Sequence, residues 1–290
     1  MCEDKGPNVE RMRNESNTND AVLPDSYRYA LLSLHTVVLV GGVISMSLMI
    51  RVKANVRSVT TAAIQNLIVV HLLFLLTLPF RIYYYAAGSW DLGPKFCKVV
   101  SAMIHAHMYL TFIFYVIILV HRYLIFFRIR QVEFYRGLHA LLASIAVWSL
   151  VLVVVVPALV LRYGSHPPSN MTTADNKCFN FGKSISPAVV VLNQLFSAFI
   201  IIVTLALAVC QVWILRIVCK AHREMLFAQQ EFLAQIKSIY FMLVIVVCFV
   251  PYNAFRIYYV NNYTDSLQVN NEIGLAVTTF SCFDMLILMI

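Results

Sequence analysis

The chain is short of charge. Only 12% of its 290 residues are Asp, Glu, Lys or Arg, about half the share of an ordinary soluble domain. That excludes a solvated globule or a charged disordered tail. Glycine and proline number nine each, too few for a fibrous or low-complexity class. No CxxC or Cys/His spacing of a metal or redox motif occurs among the seven cysteines. No metal or cofactor is therefore expected. Residues 1–25 hold no apolar core of the kind a cleavable leader needs. The first apolar run is expected to act as an uncleaved signal anchor.

What the chain has is apolar length. Hydrophobic residues make up 60% of it, and mean hydropathy is +0.76. A membrane-crossing helix needs roughly 20 such residues. Seven stretches supply them: residues 27–50, 59–85, 96–127, 137–161, 186–217, 232–260 and 268–290. No alternating pattern suggests a barrel. The expected fold is all-α, a seven-transmembrane helix bundle with short loops. Residues 1–26 form an N-terminal segment outside the membrane, and 27–290 form the bundle domain.

Charge sets the orientation, since loops on the cytoplasmic side carry the excess of Lys and Arg. One face gathers Arg51, Lys53, Arg57, Arg122, Arg128, Arg130, Arg136, Arg216, Lys220, Arg223 and Lys237 against Glu133, Glu224 and Glu231. The other face is close to neutral. The basic face is assigned to the inside and the N-terminus to the outside. The glycosylation sequons at Asn14, Asn170 and Asn262 all fall on the assigned outer side. Cys97 and Cys178 also lie outside, where thiols oxidise. They are candidates for a disulfide, with two unpaired cysteines as the alternative.

The segment YVIILVHRYLIFFRIR, from Tyr115 to Arg130, places Arg122 inside an apolar run. From Cys97 to Arg122 is 25 residues, about 37 Å of helix at about 1.5 Å per residue. Arg122 thus reaches the inner boundary of the membrane, where a charge costs less. A snorkelling anchor is the simpler account. His121, Tyr123 and Glu231, the acid at the cytoplasmic start of span six, argue for more.

These residues together are familiar. HRY at 121–123, Trp148, CFVP at 248–251, WDLGPKFC at 90–97, NLIVVH at 66–71 and CFDMLIL at 282–288 resemble motifs of the rhodopsin-like G-protein-coupled receptors. The resemblance spans nearly the whole chain and points to an orphan branch near the nucleotide and lipid receptors. It implies a plasma-membrane receptor, not an enzyme, with a Cys97–Cys178 disulfide, an extracellular ligand, the lipid bilayer and a heterotrimeric G protein as partners. Arg122 becomes the switch residue, paired at rest with Glu231 twenty positions before Pro251. Phe249 and Pro251 mark the helix-six switch.

Departures from the family pattern are numerous. His121 stands for the usual acid, Phe249 for a Trp, Gly42 for an Asn, and Met285 and Leu288 for a Pro and a Tyr. Span five lacks its mid-helix Pro; Pro187 is near its start. His71 stands where an Asp normally binds sodium, with Thr111, Phe280 and Asp284 at other wall positions. Hard cations want oxygen, so the sodium site is expected to be lost or weak. A pH-sensitive His71–Asp284 hydrogen bond is expected in its place; a core His bonded to backbone or water is the alternative.

The amine receptors' Asp is replaced by Ile104, with His105 next. Arg256, five residues after Pro251, suits a phosphate or carboxylate. Arg81, His105, Tyr109 and Tyr252, with Tyr83, Tyr84 and Tyr258, complete the ligand-pocket candidates. Ordinary belt and snorkelling positions account for the same residues. The altered motifs keep a non-signalling or decoy receptor open. A haem protein ligated by His71 and His105, or a transporter, lacks a supporting pattern. No feature calls for nucleic acid. The sequence closes at Ile290, inside the seventh span, so a truncated last helix and impaired arrestin coupling are expected.

Overall fold

The computed structural model describes residues 25–50, 59–127, 136–157, 178–179, 187–221, 228–262 and 264–284. Among them the chain is almost entirely helical, without a strand. The helices are α1 (Asp25–Ile50), α2 (Val59–Leu75), α3 (Leu78–Ala87), α4 (Pro94–Phe126), α5 (Arg136–Pro157), α6 (Pro187–Ala221), α7 (Ala228–Val244), α8 (Val250–Asn261) and α9 (Asp265–Thr278). A π turn, Ile245–Phe249, joins α7 to α8, and a 3-10 turn, Thr279–Phe283, follows α9. Among the described residues, five stretches are long and apolar enough to cross a bilayer: Asp25–Leu48, Thr60–Ala87, Pro94–Phe126, Val190–Lys220 and Gln235–Asn261. The remaining expected spans, the fourth and seventh, fall on α5 and on α9 with its 3-10 turn. The described part of the seventh stops at Asp284.

Span two is not one helix. Pro79 lacks an N–H to bond the carbonyl of Leu75, so the ladder breaks at Leu76 and Thr77. The Thr77 hydroxyl and amide both turn back to the Phe74 carbonyl, at 2.7 and 2.8 Å. α3 restarts with Pro79 in its first turn and buries Leu78, Arg81, Tyr84 and Tyr85. It ends at Gly88, whose φ of 76° is left-handed and whose N–H caps Tyr84 at 2.9 Å. Span six breaks in the same way. Pro251 has no donor, the turn before it widens to π geometry, and the Asn253 side chain bonds the Phe249 carbonyl at 2.8 Å.

α4 is the central post. It packs on α2, α5, α6, α7 and α9 and buries residues along most of its length, from Cys97 to Tyr123. One core runs through the bundle around Phe74, Met108, Tyr115, Ile118, Phe241 and Phe249. A second sits under the outer end, around Leu31, Tyr84, Tyr85, Trp90 and Phe179. The outside of the bundle is apolar as well. Leu195, Ile202, Leu205 and Val209 stand exposed along α6, a continuous greasy face that suits lipid and not water.

Candidate functional site

The bundle carries polar residues at three depths. At the inner end, an Nη1 proton of Arg122 is donated to the Ser238 hydroxyl at 3.2 Å, joining span three to span six. His121 turns the other way, to the Thr60 hydroxyl at 3.0 Å. Tyr123 is buried and donates to the Leu207 carbonyl at 3.4 Å. Gln211 and Gln235, both buried, bond across spans five and six at 3.1 Å. The expected partner Glu231 lies in the first turn of α7, and its side chain is outside the described residues. Nearby, Asn66 takes the Trp148 indole proton at 2.8 Å and donates to Ser144 at 2.8 Å. That fixes span two to span four.

In the middle, His71 and Asp284 face each other with Nε2 and Oδ1 3.3 Å apart, both fully buried. This is ion-pair range, yet neither atom has hydrogen-bond geometry to a partner among the described residues. The expected pair thus meets at ion-pair distance, off hydrogen-bond alignment. Each group is drawn elsewhere. His71 Nδ1 shares a proton with His107 Nε2 at 2.8 Å, and Tyr115 donates to Asp284 Oδ2 at 2.6 Å. Cys282 Sγ lies 3.5 Å from each of those two ring nitrogens. Phe74 stacks on His107 at 4.2 Å. Nitrogen and sulfur dominate this cluster, so it does not fit the sodium ion that the family resemblance implies. The haem alternative also finds no pair: His71 meets His107, whereas His105 bonds its own helix at the Ser101 carbonyl, 3.0 Å away. Just inside this level, the buried Phe249 ring approaches Phe112 and Tyr115 at 6.4 and 6.3 Å.

At the outer end, Cys97 and Cys178 form a disulfide with their Cα atoms 5.8 Å apart. It holds Phe179, at a positive φ of 66°, against Tyr84, Tyr85 and Trp90. The Arg81 guanidinium lies 4.3 Å from the Phe179 ring and 3.5 Å from Glu272. Tyr85 also donates to Glu272, at 3.4 Å. Arg256, largely buried, donates through Nε and Nη2 to Asn193 Oδ1 at 3.2 and 2.7 Å and through Nη1 to the Tyr252 hydroxyl. Arg81 and Arg256 both lie within electrostatic range of His105 and of Glu272. Tyr109 packs on Phe196 at 5.6 Å. The structure thus brings Arg81, His105 and Arg256 to one level. It does not bring Tyr83 and Tyr258 there: both are exposed, and Tyr83 donates to Asp91 at 3.0 Å. Asn262 is exposed just past α8, while Asn14 and Asn170 lie outside the described residues.

Sequence reasoning missed Glu272, Asn193, His107, Cys282 and Tyr115 as site residues. A helical signal was available for two of them. His107, Thr111 and Tyr115 recur every fourth residue of one long helix, a single stripe, and Thr111 was already placed in the core.

Comparison with known proteins identifies the family. Residues 42–289 match the seven-transmembrane receptor (rhodopsin family) description. The chain is 49% identical over 267 residues to the human "Probable G-protein coupled receptor 141", covering 89% of this chain and 86% of that one. It is 30% identical over 275 residues to the mouse "Lysophosphatidic acid receptor 6", covering 91% and 78%. It is 26% identical over 239 residues to the rat "N-arachidonyl glycine receptor", covering 79% and 70%.

Proposed function

The chain belongs to the rhodopsin family of seven-transmembrane receptors, a multi-pass plasma-membrane protein, and from that premise we propose that it transduces an acidic lipid signal to a heterotrimeric G protein. The observation that carries the ligand class is Arg256. It lies in the outer half of span six, largely buried, with Asn193 and Tyr252 as neutral hydrogen-bond partners. Those partners orient the guanidinium, and Glu272 lies within its electrostatic range. A planar cation so held suits a phosphate or carboxylate. Arg81 deepens the positive field and is itself tied to Glu272. The names of two relatives point the same way: one is called a receptor for a lysophosphatidic acid and the other for an N-acyl glycine, each an anionic head on an apolar tail.

Arg122 is the switch on the inner face. It ties span three to Ser238 of span six; we assign that tie to the resting state, with Glu231 as the reinforcing charge. Ligand engagement of Arg256 above Pro251 pulls on the upper half of the same broken helix. Outward movement of the lower half then releases Arg122 to the G protein. A second reading has support in His121, which stands where the family has an acid and bonds Thr60: a receptor that binds ligand and does not signal.

The test is a panel of lysophospholipids and N-acyl amino acids applied to cells expressing the chain, read by G-protein dissociation and by lipid binding. An anionic lipid is expected to activate, and Arg256→Ala to weaken its potency at least tenfold, with Arg256→Lys intermediate. Binding without dissociation selects the non-signalling reading. Equal potency in Arg256→Ala removes Arg256 as the anchor.

A further inference from the structure

The polar cluster at the middle of the bundle has a use that sodium does not serve. His71 comes from α2, His107 from α4 and Cys282 from the 3-10 turn after α9, and all three are buried. Their donor atoms lie within 4.8 Å of one another. The triangle has one nitrogen–nitrogen edge of 2.8 Å and two nitrogen–sulfur edges of 3.5 Å. A tetrahedral zinc ion, with Zn–N of about 2.0–2.1 Å and Zn–S of about 2.3 Å, sets those edges at roughly 3.3 and 3.6 Å. The sulfur edges already fit. The two imidazoles need to part by about half an ångström to exchange their shared proton for a metal.

We propose that His71 Nδ1, His107 Nε2 and Cys282 Sγ form a structural transition-metal site for Zn2+ that staples spans two, three and seven together. One outer nitrogen agrees with this, that of His71; the outer nitrogen of His107, Nδ1, is buried without a partner among the described residues. When Nδ1 of His71 binds metal, its proton sits on Nε2, which faces Asp284 Oδ1 at 3.3 Å. Asp284 is in turn held by the Tyr115 hydroxyl. Carboxylate behind imidazole behind metal is the usual supporting arrangement at such sites. Charge balances too: a dication, a thiolate and the Asp284 carboxylate sum to zero, which a low-dielectric bundle requires. Binding releases the Cys282 thiol proton and any proton shared by the imidazoles. Thr111 and Ser281, one turn from His107 and next to Cys282, carry buried hydroxyls without a partner among the described residues. They provide oxygen for a water in the fourth position. Thiolate with imidazole selects zinc over the hard cations of the extracellular fluid.

The test uses the full chain, purified in detergent, stripped with a chelator and titrated with Co2+ and then Zn2+. The site predicts about one equivalent of cobalt, a thiolate-to-cobalt charge-transfer band in the near ultraviolet and its displacement by zinc. It also predicts a zinc-dependent rise in the unfolding midpoint. Cys282→Ser abolishes the band, and His107→Ala weakens binding tenfold or more. A variant with Cys2, Cys210, Cys219 and Cys248 all replaced by Ser keeps the band and decides the matter if Cys282→Ser does not fold. Cooperatively melting protein with no band overturns the site, as does a band unchanged in Cys282→Ser or lost with the four other cysteines. Signalling is not read, so failure here leaves the receptor assignment standing.

Discussion

Arg81 keeps its charge inside the bundle because span seven answers it. Its side chain is 1% exposed, and Glu272, at 14%, lies 3.5 Å away with Tyr85 as a second donor. Removing one member strands the other in low dielectric, which costs about 3–5 kcal/mol. Arg81→Met and Glu272→Met should each lower the melting temperature of purified receptor sharply, while the double Met variant recovers most of the loss. Additive losses in a thermal-shift series would mean that the two do not form a pair. Arg81 stood out in the sequence as a charge in an apolar run. Its partner did not, because Glu272 sits on a helix that no local pattern connects to span two. The same holds for Asn193 under Arg256 and for His107 beside His71. Side chains from different spans meet only when the bundle closes, and one sequence carries no record of which faces turn inward together.

Helices were the more legible level. Long apolar runs without charge leave lipid-facing helix as the main solution, so most spans lie within a few residues of where hydropathy puts them. The breaks were harder. Pro79 and Pro251 are visible in the sequence, yet only the fold shows that the first makes a turn at Leu76–Thr77 and the second a π turn over Ile245–Phe249. The π turn places the buried Phe249 above Tyr115 and beneath the half-helix that carries Arg256. Pro251→Ala restores the missing donor and should straighten span six. The expected outcome is a receptor that reaches the surface normally and responds to ligand with a several-fold smaller maximum, measured by G-protein dissociation. Gly42 is a second case. A Cβ there would sit 2.7 Å from Leu75 Cδ2, so the Asn that the family usually has requires the Leu75 side chain to shift. Gly42→Asn should cost about 1–3 kcal/mol, seen as a drop of several degrees in melting temperature; an unchanged melt would show that Leu75 yields freely.

At the scale of the molecule, the three polar levels sit on one central post, α4, which touches ligand level, core cluster and inner switch in turn. Its Cys97, His107 and Arg122 mark them in order. That order was legible, since the helix is one unbroken run and distance along it is distance through the membrane. What the chain signals to was not, because the basic inner face is explained by topology as well as by a partner. The most direct measurement is ligand-free G-protein activation in cells, comparing the parent chain with Arg122→Ala, Ser238→Ala and Glu231→Ala at matched surface expression. Basal activity is expected to disappear in Arg122→Ala and to rise in Ser238→Ala and Glu231→Ala, since each of the latter loosens span six from span three. Basal activity that persists in Arg122→Ala, or that falls in Ser238→Ala, would contradict the Arg122 switch.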